Sequence, residues 1–551
     1  MERTKVDYVF LTSLFRNRLT IPSAMRIRFI SFWICILSLT FISCKEEAKS
    51  IEEPEKLPNI IYILADDLGY GDIGAFNPEG KIRTPHIDDL AASGMKFTDA
   101  HSPSAVCTPT RYGIITGRYS WRSPLKNGVL TGKSKALIPK KRSTVASLLK
   151  RKGYQTAFIG KWHLGWDWAL KDGTEFGGTG WNPEDFDSID FTKPVTNTPN
   201  DIGFDYAYGH SGSLDMAPYA YVENGKITAA VDSVTEDSEK YTWWRKGPTA
   251  SDFVHEAVTP NFFEKSMAYV QEKAGASTPF FLYLALPSPH TPILPTEEWQ
   301  GKSGINPYAD FVMMIDDYVG QLERTLKEAG LSENTLIIFT SDNGCSPEAD
   351  FDILGEKGHD PSAIYRGHKA DIFEGGHRVP FIAKWPGKIE PGTVSDKTIC
   401  HTDLMATCAE IAEIQLKDNE AEDSFSLLPL FSKPDSDDYL REATVHHSVN
   451  GSFSIRKDNL KLIFCPGSGG WSHPKPNMAG IEKMPLMQLY DLAKDPGETE
   501  NLYDVYPEIV NQLTELMASY IENGRSTPGS KQMNAPLDLD GKPWSQIENI
   551  K

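Results

Sequence analysis

Four continuous apolar runs stand out along the chain, and each has the length of one buried strand. They occupy residues 58–65, 156–159, 280–286 and 335–341. Strands covered on both faces are uninterrupted hydrophobic runs, whereas strands with one face in water alternate. Between the runs, apolar residues recur at helical spacing, as in residues 143–150 and 311–326. This alternation predicts an α/β fold with a large, mostly parallel sheet sandwiched by helices.

The pattern changes after about residue 434, where short strand-like segments separated by turn residues take over. These segments are residues 452–456, 460–464 and 488–492. An amphipathic run at residues 508–517 predicts a helix after them. We therefore expect one large domain over residues 58–434 and a smaller α+β subdomain with an antiparallel sheet over residues 435–551.

The amino terminus carries an apolar run of another kind. Residues 34–44 follow Arg26 and Arg28 and are too few to span a bilayer stably, which is typical of a signal peptide. A small residue directly before Cys44 resembles a bacterial lipoprotein cleavage site. We therefore expect residues 1–43 to be an upstream extension and signal peptide, and Cys44 to be lipidated.

The residues after Cys44 indicate where in the cell the anchored protein is expected. Lys45-Glu46-Glu47 resembles the signal by which Bacteroidetes-type lipoproteins reach the cell surface. The expected location is the outer membrane at the cell surface, with a periplasm-facing anchor as the alternative. Residues 44–57 would form a linker, and both Met1 and Met25 remain possible starts.

Composition and charge limit the classes of protein and of binding partner that fit this chain. The chain has 551 residues, 40% of them hydrophobic, which is enough to bury a large core. Its formal net charge of −19 disfavours a nucleic-acid partner or a long basic track for a polyanion. The seven cysteines show no disulfide framework and no metal-ligand spacing.

Carboxylates follow two of the apolar runs. Asp66 and Asp67 come after residues 58–65, and Asp342 and Asn343 come after residues 335–341. The carboxyl ends of strands in an open α/β sheet are where ligands bind. Three carboxylates and one amide oxygen suit Ca²⁺, or Mg²⁺ as the alternative. Ordinary turns also favour Asp, Asn and Gly, so either pair alone would be weak evidence.

Basic residues and imidazoles follow the other runs. Lys161 and His163 come directly after residues 156–159, and on an extended segment their side chains would share one face. His290 follows residues 280–286, and Lys369 lies in the later Gly-His-Lys triplet. Single residues of this kind in loops are commonly solvated and without a function, so each alone is weak evidence.

The most informative segment is Cys107-Thr108-Pro109-Thr110-Arg111, which continues to Thr116-Gly117. A buried thiol at the start of a helix would be the simplest alternative reading. The segment resembles the sulfatase signature Cys/Ser-x-Pro-x-Arg-x4-Thr-Gly, and the resemblance extends over residues 58 to about 410. Within the alkaline-phosphatase superfamily it is nearest to arylsulfatases and glycosaminoglycan sulfatases.

The resemblance implies a role for each residue. The metal would be bound by Asp66, Asp67, Asp342, Asn343 and the Cα-formylglycine made from Cys107 by a sulfatase-maturing enzyme. Arg111 would hold the aldehyde hydrate, Lys161 and Lys369 would contact the sulfate oxygens, His163 would act on the hydrate hydroxyl, and His290 would protonate the leaving alcohol. A helix that starts after Pro109 would point amide N–H groups at the anion.

Further contacts with the substrate are predicted less directly. His210 and Ser211 follow a Gly203-Phe204-Asp205 turn, after which the family usually places a polar sulfate contact. Several residues in loops are either sugar contacts or packing anchors. They are Trp166, Trp168, Trp181, Trp243, Trp244, Trp471 and His473.

The expected function is that of a lipid-anchored sulfatase acting on a sulfated oligosaccharide or polysaccharide, one sugar at a time at a chain end. Ulvan, algal galactans and glycosaminoglycans all remain open as substrates. A phosphomonoester or phosphonate hydrolase of the same superfamily is the alternative among enzymes. A surface glycan-binding lipoprotein that has lost its catalytic apparatus is the alternative of another class.

Overall fold

The computed structural model describes residues 56–173, 185–547 and 550. Cys44, the predicted lipidation site, and Trp181 lie outside the described residues. From Leu57 onward the described chain forms one compact unit. No helix in these described ranges combines the length and the apolar character needed to cross a bilayer.

The strands, numbered in chain order, alternate with helices over the first three-quarters of the unit. The strands are β1 (Asn59–Asp66), β2 (Met95–Phe97), β3 (Ala100–His101), β4 (Gln155–Lys161), β5 (Tyr206–His210), β6 (Val222–Glu223), β7 (Lys226–Ile227), β8 (Val231–Asp237), β9 (Trp244–Ala250), β10 (Phe280–Pro289), β11 (Thr335–Ser341), β12 (Phe381–Lys384), β13 (Thr393–Ser395), β14 (Ile399–Cys400), β15 (Thr444–His447), β16 (Phe453–Lys457), β17 (Leu460–Ile463) and β18 (Gln488–Asp491). The α-helices are α1 (Pro85–Ala92), α2 (Cys107–Thr116), α3 (Val145–Lys150), α4 (Val258–Glu272), α5 (Pro307–Glu328), α6 (Phe351–Glu356), α7 (Glu374–His377), α8 (Leu404–Ile411), α9 (Leu428–Ser432) and α10 (Pro507–Asn523).

A ten-stranded sheet forms the centre of the molecule, in the order β13-β2-β12-β11-β1-β10-β4-β5-β6-β7. Its five middle strands, β11 to β5, run parallel, and antiparallel strands continue it at both sides. The four apolar runs in the sequence are β1, β4, β10 and β11. The mostly parallel sheet is therefore confirmed.

The two faces of the sheet bury two separate cores, as the period of two in a strand requires. Along β1, Ile60, Tyr62 and Leu64 lie in one core with α2, α3 and α8. Ile61 and Ile63 lie in the other, against α4 and α5. Both faces of the middle strands are covered, which explains their uninterrupted hydrophobic runs.

The middle strands approach closely just before the site residues. Gly160 has φ +131°, and a Cβ at this position would lie 1.8 Å from the carbonyl oxygen of Ala285 on β10. No other residue fits this conformation and contact. This close approach fixes the end of β4 against β10, and the side chain of Lys161, the last residue of β4, reaches across to pair with Asp66 at the end of β1.

The small sheet, in the order β15-β16-β17-β18, is antiparallel throughout. Helix α10 covers one face, with Leu513 and Met517 packed against Val445 and Ile455. The predicted antiparallel sheet after residue 434 is confirmed, while the exact domain boundary stays a prediction.

A buried ionic cluster joins the region of β3 to the small sheet. The carboxylate of Asp99 accepts hydrogen bonds from Arg456 (2.6 and 2.7 Å) and lies 2.7 Å from both Arg378 and His101. Burial alone would raise the pKa of Asp99, but the two arginines hold it below its usual value. His101, His377 and His446 stand close enough to share an ion. Their ring nitrogens already have hydrogen-bond partners: His101 and His377 contact each other (3.0 Å), and His446 contacts Ser102 O and Thr444 Oγ1. We therefore assign the cluster a structural role.

We expect Asp99→Asn to lower the free energy of unfolding by about 3–5 kcal/mol, because the change leaves two buried guanidinium groups without their shared anion. Urea unfolding at pH 7 measures this. Asp437→Asn is the control, since the Asp437 side chain is 99% exposed and should change stability by less than about 0.5 kcal/mol. Equal effects of the two substitutions would contradict a role for the cluster in joining the sheets.

Candidate active site

The carboxyl ends of β1 and β11 bring the predicted metal ligands together. The two strands are parallel neighbours with Ala65 opposite Ser341. Asp67 turns away from the strand with φ +64°, and its N–H donates to Asp342 Oδ1 (3.2 Å). Asn343 Nδ2 donates to Asp67 Oδ1 (2.7 Å). The predicted oxygen cluster is thus assembled by strand pairing.

Helix α2 presents Cys107 to this cluster. The helix begins at Cys107, so the prediction of a start after Pro109 was wrong by three residues. Extended Val106 precedes the first turn, and Pro109 is tolerated within that turn. Cys107 Sγ lies 3.6 Å from Asp66 Oδ1. Arg111, one turn later on the same face, donates from Nε (3.0 Å) and Nη2 (2.8 Å) to Asp342 Oδ2.

Two lysines approach the same carboxylates. Lys161 Nζ forms a buried ion pair with Asp66 and donates to Ser213 Oγ (3.1 Å). Lys369 Nζ donates to Asp67 Oδ2 (2.7 Å). All the side chains in these contacts are less than a tenth exposed. The site therefore combines oxygen ligands with fixed cations, which is what binding of an anion beside a metal requires.

The predicted extended segment from Lys161 to His163 is not observed. Strand β4 ends at Lys161, and His163 has φ +53°. The imidazole Nε2 lies 2.8 Å from the carbonyl oxygen of Leu130, so Nε2 carries the hydrogen. Nδ1 is buried and has no hydrogen-bond partner among the described residues. Burial and Lys161 hold the pKa of His163 well below its usual value, which leaves Nδ1 as an acceptor.

His290 lies on the other side of the cluster. Its Nδ1 is 2.6 Å from the carbonyl oxygen of Thr291, which requires the hydrogen on Nδ1. Its Nε2 lies 3.6 Å from Asp67 Oδ2 and 3.3 Å from Ser213 Oγ. Burial and Lys369 lower the pKa of His290 to about 4. Nε2 is thus the nitrogen available to a reacting group.

The pKa values of two carboxyl groups in the cluster are shifted in opposite directions. Burial and the neighbouring Asp66 raise the pKa of Asp342 to about 7, whereas Lys161 and His290 overcome burial and hold the pKa of Asp66 well below its usual value. Burial raises the pKa of the Cys107 thiol to about 12 despite two nearby lysines. A thiol that stays protonated at neutral pH is a poor nucleophile.

The residues present fit a hard divalent cation. Ligand atoms of Asp66, Asp67, Cys107 and His290 all lie within 4.8 Å of one another. Asn343 Oδ1 is buried without a hydrogen-bond partner among the described residues, as an oxygen reserved for a metal would be. Crowded carboxylates and an amide oxygen are the donor set for Ca²⁺ or Mg²⁺.

Ser213 is a site residue that the sequence did not reveal. Its hydroxyl accepts from Lys161 and contacts the His290 ring. The predicted contacts nearby are placed differently: the His210 ring packs against Phe253 and Phe262 at the end of β5, and the Ser211 carbonyl accepts from His163 N. One residue separates Ser211 from Ser213, and only the conformation of the loop shows which serine contacts Lys161 and His290.

The predicted aromatic contacts divide into two groups. Trp166 and Trp168 are 1% exposed in the core, which favours packing anchors. Trp244 stacks on His255 with ring centroids 4.0 Å apart. Trp471 is 43% exposed. Its backbone N–H donates to Asp371 Oδ1 (2.8 Å), and Asp371 lies two positions after Lys369. His473, in the same loop, and Trp243, on the β8–β9 connection, are also accessible to solvent.

Known proteins resemble this chain over most of its length. The Sulfatase family model matches residues 58–414. An N-acetylgalactosamine-6-O-sulfatase of Bacteroides thetaiotaomicron is 33% identical over 508 residues, which cover 84% of this chain and 93% of that protein. Human arylsulfatase A is 32% identical over 480 residues, 83% of this chain and 87% of the relative.

A solved structure agrees with these relatives. It is described in connection with the metabolism of multiple glycosaminoglycans by Bacteroides thetaiotaomicron. It superposes with a TM-score of 0.71 at 32% identity, covering 84% of this chain and 99% of that one. The two chains therefore share their fold over most of their length.

Proposed function

The chain belongs to the sulfatase family, and we propose that this sulfuric ester hydrolase removes sulfate from a glycosaminoglycan-like carbohydrate with a formylglycine made from Cys107 and a bound Ca²⁺. One observation carries the proposal: Cys107, three carboxylates, two lysines and two imidazoles converge in one buried cluster. N-acetylgalactosamine 6-sulfate is the first candidate substrate, because relatives with that specificity in their names match 84–87% of the chain.

The Ca²⁺ and the formylglycine would supply chemistry that the encoded side chains lack. Asp66, Asp67, Asp342 and Asn343 would hold the Ca²⁺, which stabilises negative charge on oxygen. Formylglycine, as its hydrate, would supply one hydroxyl as the nucleophile that displaces the alcohol from sulfur, and a second hydroxyl whose loss of a proton would expel sulfate and restore the aldehyde. The protonated state of the Cys107 thiol supports its role as a precursor rather than as the nucleophile itself.

The chain's own residues bind the ester and move protons. Lys161 and Lys369 carry fixed positive charge next to Asp66 and Asp67, where they can bind the nonbridging sulfate oxygens. His163 presents an unprotonated Nδ1 that can accept a hydroxyl proton. His290 directs Nε2 at Asp67 Oδ2 and Ser213 Oγ. Because the neutral ring carries its hydrogen on Nδ1, Nε2 can protonate a leaving alcohol only from the imidazolium form, which the negative charge of a bound sulfate would favour.

Mass spectrometry across residue 107 and sulfate release test the proposal together. Protein coexpressed with a sulfatase-maturing enzyme should carry formylglycine at position 107 and release sulfate from at least one sulfated sugar. The panel should include N-acetylgalactosamine 6-sulfate, other glycosaminoglycan fragments, ulvan and galactan fragments, and phosphate monoesters. Phosphate release alone would indicate the related phosphohydrolase function. Binding without any release by modified, metal-loaded protein would indicate a glycan-binding protein.

Metal removal should affect stability as well as activity. We expect Ca²⁺ added to chelator-treated protein to raise the melting temperature, because an ion that binds only the folded state stabilises it by about 2.7 kcal/mol at a hundredfold excess over its Kd. Asp342→Asn should abolish most of this shift. Asp317→Asn, at a half-exposed carboxylate on α5, is the control and should retain it. A shift of equal size in both variants would rule out the proposed metal ligands.

We also propose that the protein is exported and anchored through lipid on Cys44. The signal-like run before Cys44 and the Lys45-Glu46-Glu47 segment support this. Labelled palmitate should be incorporated by the full chain and not by Cys44→Ala, whereas Cys35→Ala, in the segment predicted to be removed, should not change labelling. Protease digestion of intact cells distinguishes an anchor at the cell surface from one facing the periplasm.

A further inference from the structure

The segment of residues 241–245, from the β8–β9 connection into the first two residues of β9, lies against three loops that carry site residues. Its contacts are hydrogen bonds from Ile293 N to Tyr241 O (2.8 Å), from Arg245 N to Asp215 O (3.2 Å) and from Trp243 Nε1 to Glu348 Oε2 (3.1 Å). The three loops follow β10, β5 and β11, and they carry His290, Ser213 and Asn343. The segment therefore packs along one edge of the loops that carry these three site residues.

Arg245 is fixed at this edge by a buried carboxylate. The Asp215 side chain is 3% exposed and pairs with Arg245, whose own side chain is 54% exposed. The Tyr219 hydroxyl lies 3.0 Å from the carbonyl oxygen of Asp215 and 2.5 Å from that of Arg245. A Cβ on Gly247 would lie 2.0 Å from Ala217 Cβ, so β9 is in close contact with the Asp215 loop. The position of the guanidinium is therefore set by the scaffold.

Part of the Arg245 guanidinium remains available to a ligand. Only Nη1 is hydrogen-bonded to a described residue, at Asp215, while Nε and Nη2 are not. The Trp243 ring lies next to it, 5.2 Å from the guanidinium carbon. Trp243 and Arg245 are two positions apart, on the same side of an extended segment. The planar guanidinium can donate to the hydroxyl groups at the edge of a pyranose, and the neighbouring aromatic ring can pack against the apolar face of the same sugar.

We propose that Arg245 is a specificity-determining residue that donates hydrogen bonds to ring hydroxyl groups of the sugar bearing the sulfate ester, with Trp243 packed beside that ring. The proposal rests on the function proposed above. The leaving alcohol belongs to this sugar, and the segment contacts the loops of both His290 and Ser213. Since Asp215 already neutralises the guanidinium, the pair favours hydroxyl groups over a carboxylate or a second sulfate.

Steady-state kinetics on two substrates test the proposal. For the best sulfated monosaccharide of the panel, Arg245→Ala should raise KM about 10- to 100-fold, the effect expected for lost hydrogen bonds to a charged donor. A small aryl sulfate has no ring hydroxyls, and its kcat/KM should fall by less than about threefold. Arg245→Lys should not restore the sugar KM, because an ammonium group lacks the planar fork. Lys246→Ala, at the adjacent exposed cation, is the matched control.

Three results would overturn the proposal. Equal losses of kcat/KM on both substrates would make Arg245 a structural residue, restoration by lysine would reduce its role to charge, and an unchanged sugar KM would remove it from the site. If the wild-type protein releases sulfate from neither substrate, the proposed function fails. Calorimetric binding of N-acetylgalactosamine 6-sulfate by Cys107→Ala and by Cys107→Ala/Arg245→Ala then decides the inference, since equal affinities, or no binding by either variant, would refute it.

Discussion

Cys107→Ala should abolish sulfate release and leave the protein folded. Removing a nucleophile commonly costs about 10⁵-fold or more in kcat, because the remaining groups bind the substrate without offering an alternative covalent route. The Cys107 side chain is small and lies at the first turn of α2, where alanine is compatible with the helix. The variant should therefore keep the wild-type circular dichroism and a similar melting temperature.

Cys408→Ala is the matched control for this substitution. Cys408 is equally buried, on α8 in the core below the sheet, and it belongs to no site proposed here. We expect it to retain activity with a small loss of stability. Sulfate release by pure Cys107→Ala protein at more than a thousandth of the wild-type rate would exclude formylglycine at this position as the nucleophile.

His290→Ala should slow the release of sugar alcohols far more than the release of activated aryl alcohols. Proton donation by a positioned side chain contributes about 10²- to 10⁴-fold when the leaving group is a poor one. An aryl oxide leaves without a full proton, so the same substitution should cost about tenfold or less on a nitrophenyl sulfate. The ratio of kcat/KM values on the two substrates measures the difference.

His86→Ala is the control for the His290 substitution. Its side chain is 35% exposed beside Asp317, away from the site residues. Both activities should be unchanged in this variant. Equal losses on the two substrates in His290→Ala would show that His290 binds sulfate or supports the metal, and would remove it from the role of leaving-group acid.

The sequence predicted which residues come together in space where these residues directly follow buried strands. Asp66, Lys161 and Asp342 stand at or next to the last residues of β1, β4 and β11, and strands of a parallel sheet end at a common edge. Hydrophobic runs alone indicated these strands, so their neighbours in sequence became neighbours in space. The motif around Cys107 pointed to the chemistry because its residue types have few other uses in that spacing.

Prediction was weaker where the chain leaves regular structure. His210 and Ser211 stood near the correct loop, yet Ser213 is the residue whose hydroxyl reaches Lys161 and His290. The predicted extended course through His163 and the predicted start of α2 were also wrong. Loops have no hydrophobic period, and their conformations depend on contacts with distant segments.

By itself, the sequence determined the parallel sheet, the small antiparallel sheet and the residue types at the strand ends, because burial on one or both faces of a strand leaves a direct pattern of apolar positions. Only the tertiary structure decided which loop residues meet at the site, including Ser213 and the pair of Asp215 and Arg245. That pair joins residues 30 positions apart through the packing of β9 against another loop. No local pattern encodes such a contact, since its free energy arises only after both segments are in place.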